Sequence, residues 1–187
     1  MKFNDYVQIS GTPVNIKSGG CLFRQGEAHQ SIYLVTQGIL KAYYLSASGA
    51  ELIKSFLFPG EIIGSLSSAH WKDLASFSLT ALEDSTLLRL NFGHLYSAAQ
   101  SDLELAQGVM DRLLEYGRNK ERREKELLTM SAEERYRALL LEAPDSLHRI
   151  KQKDIARYLG ITPVALSRIR REIKRVDLGS ACTPVPP

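Results

Sequence analysis

The side chains best suited to recognition chemistry crowd toward the C-terminus. Between residues 149 and 175 nine lysines and arginines stand against two acids, among them Lys151, Lys153, Arg168, Arg170, Arg171 and Arg175, with the hydroxyls of Thr162 and Ser167 between them. Clustered cations with nearby hydroxyl donors suit the neutralisation of phosphates. Positioning them requires rigid elements, and the spacing predicts two short helices around a tight turn. Ile155, Ala156 and Leu159 share one helical face, and Gly160 tolerates the left-handed conformation that closes a helix. Thr162 is a good N-cap and Pro163 suits the first helical position, where its missing N–H costs nothing. Leu166, Ile169, Ile173 and Val176 then form one apolar stripe, with Ser167, Arg168, Arg171 and Arg175 on the opposite face. That is the arrangement of a helix-turn-helix whose second helix enters a DNA groove. A two-helix corner with a merely solvated basic face would carry the same charge. Agreement of turn, caps, stripe and charge favours the DNA reading.

The charge map sharpens this. The chain has 187 residues and a net charge of +3. Residues 1–101 balance to zero, 102–130 carry −1 and 131–187 carry +4. With 44% hydrophobic residues the chain can bury a sizeable core, in one large domain or two modest ones. No apolar run approaches the ~20 residues of a membrane span, and the N-terminus does not lead into a signal-peptide core, so a cytoplasmic protein is expected. Cys21 and Cys182 lack metal-ligand spacing and read as free thiols, and His29, His70, His94 and His148 are scattered. No cofactor or metal is expected. Nucleophile–base pairs, paired carboxylates and phosphate-cradling loops are missing, which argues against an enzyme.

Residues 6–90 read as all-β. Runs at 31–36, 39–45 and 52–58 are rich in β-branched and aromatic residues, and 21–24, 77–82 and 86–90 also fit strands. Gln37-Gly38, Ser48-Gly49 and Pro59-Gly60 punctuate them. A sandwich, jelly roll or barrel all fit that spacing. Helix follows: 92–99 as a short one and 102–128 as a long one with an apolar stripe of Leu105, Ala106, Val109, Met110, Leu113 and Leu114. That stripe suits either domain core or a dimer seam. Ser131 and Glu134 form a capping box opening a further helix with Tyr136, Leu139 and Leu140 on its apolar face, and Pro144 ends it. Beyond Asp177 the Pro-rich tail is too poor in apolar residues to fold.

In this order, Arg24-Gln25-Gly26-Glu27, Tyr33-Leu34-Val35-Thr36-Gln37-Gly38, Phe58-Pro59-Gly60-Glu61-Ile62-Ile63-Gly64 and the C-terminal helix pair make the chain resemble the bacterial Crp/Fnr family of transcription regulators. The resemblance implies an α+β protein: a cyclic-nucleotide-binding-like jelly roll over 1–101, a dimerisation helix and linker over 102–130, and a helix-turn-helix DNA-binding domain over 131–187. It implies a homodimer through the helix around 105–114, a two-fold-related duplex DNA site, and RNA polymerase as a further partner.

Two departures from the family pattern stand out. Members that bind cyclic nucleotides carry a Gly-Glu-Leu turn and an Arg-Ser pair. Here these positions read Gly64-Ser65-Leu66 and Ala75-Ser76. Losing the guanidinium removes the charge-assisted part of phosphate recognition. Cyclic-AMP control is therefore not expected, and the effector is unidentified or absent. The Arg-Glu pair that opens the recognition helix in cyclic-AMP-responsive members is Pro163-Val164, while the arginine four residues after that Glu is kept as Arg168. Arg168, with Ser167 and Arg171, is expected at base edges, and Val164 at a thymine methyl. Thr162, Lys151, Lys153, Arg170 and Arg175 are expected at phosphates. Family members end in a β-hairpin wing, and eleven residues after Val176 leave it absent or vestigial. The alternative is a small-molecule or protein-interaction sensor whose degenerate helix-turn-helix does not bind DNA.

Overall fold

The computed structural model describes residues 1–180, except for the side chains of Lys174 and of 176–180. The tail cysteine Cys182 and the stretch on which a wing depends, 181–187, lie outside the described residues. The chain divides into two compact units, Met1–Glu124 and Lys125–Pro187.

The first unit is built on eight strands: β1 (Thr12–Ile16), β2 (Cys21–Phe23), β3 (Ser31–Gln37), β4 (Leu40–Leu45), β5 (Glu51–Leu57), β6 (Ile62–Ile63), β7 (Ser78–Ala81) and β8 (Ser85–Asn91). They form two antiparallel sheets in the orders β1-β8-β3-β6 and β2-β7-β4-β5, the strand order of a jelly roll. Tyr33, Val35 and Leu87 from the first sheet meet Phe23, Leu40, Ala42, Leu57 and Leu79 from the second in one core. Gly38 makes the β3–β4 reversal with φ +94°, and a Cβ there would lie 2.1 Å from Ser85 Oγ. Only glycine satisfies both constraints.

The expectation of an all-β segment to residue 90 is corrected by two helices, α1 (Phe3–Ser10) and α2 (Leu66–Trp71). Helix α1 is short and amphipathic. It buries Phe3 and Val7 with Ile32, Leu88 and Leu90 from the first sheet, Phe92 and Leu95 of α3 (Phe92–Ala99), and Leu105 of α4 (Leu103–Thr129). The expected α4 stripe proves to be two faces. Leu105 is fully buried, whereas Met110, Leu113 and Leu114 are exposed, Leu114 by 66%. At 100° per residue, positions 105 and 114 lie on opposite sides of the helix.

The second unit holds α5 (Ala132–Glu142), a 3₁₀ turn (Leu147–Arg149), α6 (Gln152–Leu159) and α7 (Pro163–Ser180). The Ser131 hydroxyl accepts from the Glu134 N–H and the Glu134 carboxylate accepts from the Ser131 N–H, completing the capping box. Helix α7 continues through Ser180, past the Asp177 boundary at which the tail was expected to begin. Among the described residues no helix is long and apolar enough to cross a membrane, and no group of three or more acids, histidines or cysteines is arranged to hold a metal ion.

Candidate functional site

The turn between α6 and α7 explains how the basic face is presented. Gly160 adopts φ +71°, its N–H bonding to the Ala156 and Arg157 carbonyls, and the Ile161 N–H reaches Ala156 O at 3.0 Å. Thr162 caps α7, its Oγ1 accepting from the Ala165 N–H at 3.2 Å while its carbonyl accepts from Leu166. Leu166, Ile169 and Ile173 are buried with Ile155, Ala156 and Leu159. Ala156 has no side chain beyond Cβ, so the helices approach closely there. Arg135 on α5 donates to the Met130 carbonyl and, at 2.9 Å, to the Leu159 carbonyl. It thereby satisfies a C-terminal carbonyl of α6 that has no partner within its helix. Sequence reasoning missed it, because nothing local signals a guanidinium that reaches another helix's end.

With the apolar stripe turned inward, Pro163, Val164, Ser167, Arg168, Arg171 and Arg175 are exposed, and Val164 is 81% exposed. Residues 164, 167, 168, 171 and 175 are spaced three or four apart and so share one face. Lys151, Lys153 and Thr162 are also exposed, at the start of α6 and the turn. Arg170 is half-buried, on the flank of α7 rather than among the exposed arginines. Asp154 is nearly fully buried, with Arg157 Nη1 at 3.8 Å from its Oδ1.

The second set of predicted residues, Gly64, Ser65, Leu66, Ala75 and Ser76, comes together in the first unit and is closed upon itself. A Cβ at Gly64 would lie 2.5 Å from Ile32 Cγ2, so the strand end packs tightly. Ser65 is 1% exposed; its hydroxyl lies 3.1 Å from that of Ser67 and accepts from the Ser76 N–H at 3.3 Å. The Ser68 hydroxyl accepts from the His29 N–H. Ala75 is buried and stitched on both sides, its N–H to Glu27 O and its carbonyl to the Gly26 N–H, both at 2.8 Å. The serines thus serve one another and the backbone, and an arginine at position 75 would have no room.

His29, scattered in sequence, has a defined place beside this segment. Its ring stacks on Phe23 at 4.5 Å and Tyr33 at 5.6 Å, with Nε2 3.1 Å from the Tyr33 hydroxyl. Burial, with the Arg89 charge adding to it and Glu27 opposing, holds the imidazole below its usual pKa. Burial likewise raises the Tyr33 phenol.

Comparison with known proteins fits this geometry. Residues 13–102 match the cyclic nucleotide-binding domain family. The transcriptional activator protein Anr of Pseudomonas protegens is 28% identical over 188 residues, covering 95% of this chain and 75% of the relative. An anaerobic regulatory protein of Pasteurella multocida is 26% identical over 174 residues; the match covers 87% of this chain but only 63% of that protein. FixK2 from Bradyrhizobium japonicum superposes with a TM-score of 0.78 at 22% identity, covering 89% of this chain and 86% of its own. An N-terminal jelly roll of the cyclic-nucleotide-binding kind, a long helix after it and similarity to transcription regulators all indicate the Crp/Fnr family.

Proposed function

We propose that this chain is a DNA-binding transcription regulator that acts as a homodimer on a two-fold-related site and is not controlled by cyclic AMP. The observation that carries the reading is the exposed face of α7, where Val164, Ser167, Arg168 and Arg171 stand opposite the buried Leu166, Ile169 and Ile173. A helix held by one face and basic on the other is suited to the major groove. Arg168, Ser167 and Arg171 are assigned to base edges and Val164 to a thymine methyl. Lys151, Lys153, Thr162 and Arg175 are assigned to phosphates, with the half-buried Arg170 at the margin.

The exposed Met110, Leu113 and Leu114 on α4 support dimerisation, since they leave an apolar seam on the side away from the jelly roll. The self-bonded Ser65–Ser67–Ser76 cluster supports independence from cyclic AMP. A cyclic phosphate there would have to displace the Ser65 hydroxyl and would meet no guanidinium. Selection of bound sequences from a random duplex pool tests DNA binding and symmetry together. Inverted half-sites about one helical turn apart are expected. Recovery of no common sequence, with retention on duplex absent even at low salt, would refute the reading. Calorimetry with cyclic AMP and cyclic GMP tests the second part, and micromolar binding of either would overturn it.

A further inference from the structure

Arg135, one turn into α5, holds two helix ends at once. Its Nη1 donates to the carbonyl of Met130, just past the last residue of α4, and its Nη2 donates to the carbonyl of Leu159, the last residue of α6, at 2.9 Å. Both acceptors sit at C-terminal helix ends, where carbonyls lack intrahelical partners and the aligned peptide dipoles leave partial negative charge. A guanidinium serves both because its fork carries several donors in fixed geometry. Nε is buried and bonds to nothing among the described residues, so the two outer nitrogens hold the group.

The joint that Arg135 spans is short. The Met130 N–H still bonds to Glu126 O, continuing α4, and Ser131, with ψ 163°, then turns the chain into α5. Few backbone torsions therefore set the angle between the last turn of α4 and α5. The capping box steadies Ser131 from the α5 side, its N–H held by Glu134 at 2.7 Å. Arg135 reaches further, since Leu159 adjoins Gly160, the left-handed residue from which the turn into α7 begins.

We propose that Arg135 is a positioning residue for DNA recognition: it locks the direction of α7 relative to the last turn of α4 and so sets the half-site spacing that a dimer accepts. This rests on the proposed function, in which two copies of α4 pair and each carries one α7. Arg135 itself touches no base, because its donors are spent on backbone carbonyls. A hydrogen bond to a charged group corresponds to a shift of about tenfold to about a hundredfold in an equilibrium. Without the bridge, joint directions that it suppresses gain population by that factor, while the outer face of α7 keeps its shape. One inserted base pair moves a half-site by about 3.4 Å and turns it by about 35°. Locked joints discriminate against that change, and free joints follow it.

The test uses the full chain and fluorescence anisotropy on three kinds of duplex: the selected inverted site, the same site with one base pair inserted or removed, and a single half-site. The wild type is expected to weaken at least about tenfold when the spacing changes, as for one mismatched position. Arg135→Met and Arg135→Lys keep a stem without the two-pronged donor. Each should shrink that penalty below about threefold, as a joint released by about tenfold or more requires, and bind the half-site within about twofold of wild type. Ile155→Val trims the buried face of α6 without touching the bridge, so it should keep the wild-type penalty.

A second readout needs no DNA. Spin labels at Lys125→Cys and Glu172→Cys, both exposed positions, are placed in a chain whose two native cysteines are replaced by serine, diluted with unlabelled chain. One narrow distance is expected with Arg135 present and a broad distribution with Arg135→Met. The proposal is overturned if the spacing penalty survives both Arg135 variants, if the half-site weakens as much as the full site, or if the distance distribution stays narrow. Unfolding of both variants would also overturn it, by making Arg135 a residue of stability alone. A wild-type chain that retains no duplex counts against the proposed function, and the distance distribution still shows whether Arg135 locks the joint.

Discussion

Replacing Arg168 by alanine separates recognition from folding. The side chain is exposed on α7 and makes no hydrogen bond or ion pair with another described residue. Removing it should change stability by less than about 0.5 kcal/mol. Its effect on DNA should be far larger. A good bidentate arginine–guanine contact discriminates by about 1–3 kcal/mol, and a two-fold dimer loses one at each half-site, far enough apart to add, for a total of about 2–6 kcal/mol. That corresponds to a weakening of about 30-fold to about 10⁴-fold on the selected sequence. Fluorescence anisotropy on that duplex and on a shuffled one provides the assay. The selected duplex should weaken, the shuffled one should hardly change, and preference should relax at one position of each half-site. An equal loss on both duplexes would make Arg168 a phosphate contact. A drop in melting temperature would make it a structural residue, and either outcome would refute the assignment.

Other perturbations probe the supporting structure. Leu166→Ala removes a fully buried side chain from the junction of α6 and α7 and should cost about 3–5 kcal/mol, most of the stability of so small a unit, read by urea unfolding of its helical signal. Met110→Glu with Leu114→Glu should turn the proposed dimer into monomers in sedimentation while the jelly roll stays folded; a dimer that persists would place the seam elsewhere. Lys54, on β5, has its ammonium enclosed against the Phe77 and Tyr116 rings, and Lys54→Met gives a pH signature. The folded pKa near 6 lies below the ordinary lysine value of 10.5, so between them the unfolded chain holds one more proton. Stability of the first unit should then rise with pH across that window, by up to about 1.4 kcal/mol per unit. The variant should lose that slope, and a wild-type profile without it would show that Lys54 is well solvated.

The strands were legible where β-branched and aromatic residues run unbroken, as in β3 and β5. Strand β1 was not, because Pro13 sits inside it, and proline argues against a central strand. The structure resolves this by placing β1 at a sheet edge, beside β8 alone. Strand β6 is only two residues long, and α1 has Lys2 at its N-cap position with no side-chain cap, so neither offers a sequence signal. The capping box and the Gly160–Pro163 turn were legible because they are local chemistry. The two faces of α4 were not, since apolar residues at 105–106, 109–110 and 113–114 wrap round the helix, and only packing shows which side is covered. The surroundings of Lys54 could not be read at all. Lys54 and the Tyr116 ring lie sixty-two positions apart and meet only when β5 lies against α4.

The division of labour on α7 also bears on how such a chain can diverge. Leu166, Ile169 and Ile173 carry the packing, while Val164, Ser167, Arg168 and Arg171 touch solvent. A substitution on the outer face therefore leaves the folded population almost unchanged and is filtered only by what it does to the ligand. Sequence preference can drift through many neutral steps on that face, each as foldable as the last. Pro163 is different: it starts the helix on the side that faces outward, so change there is constrained by the backbone as well as by any contact it makes.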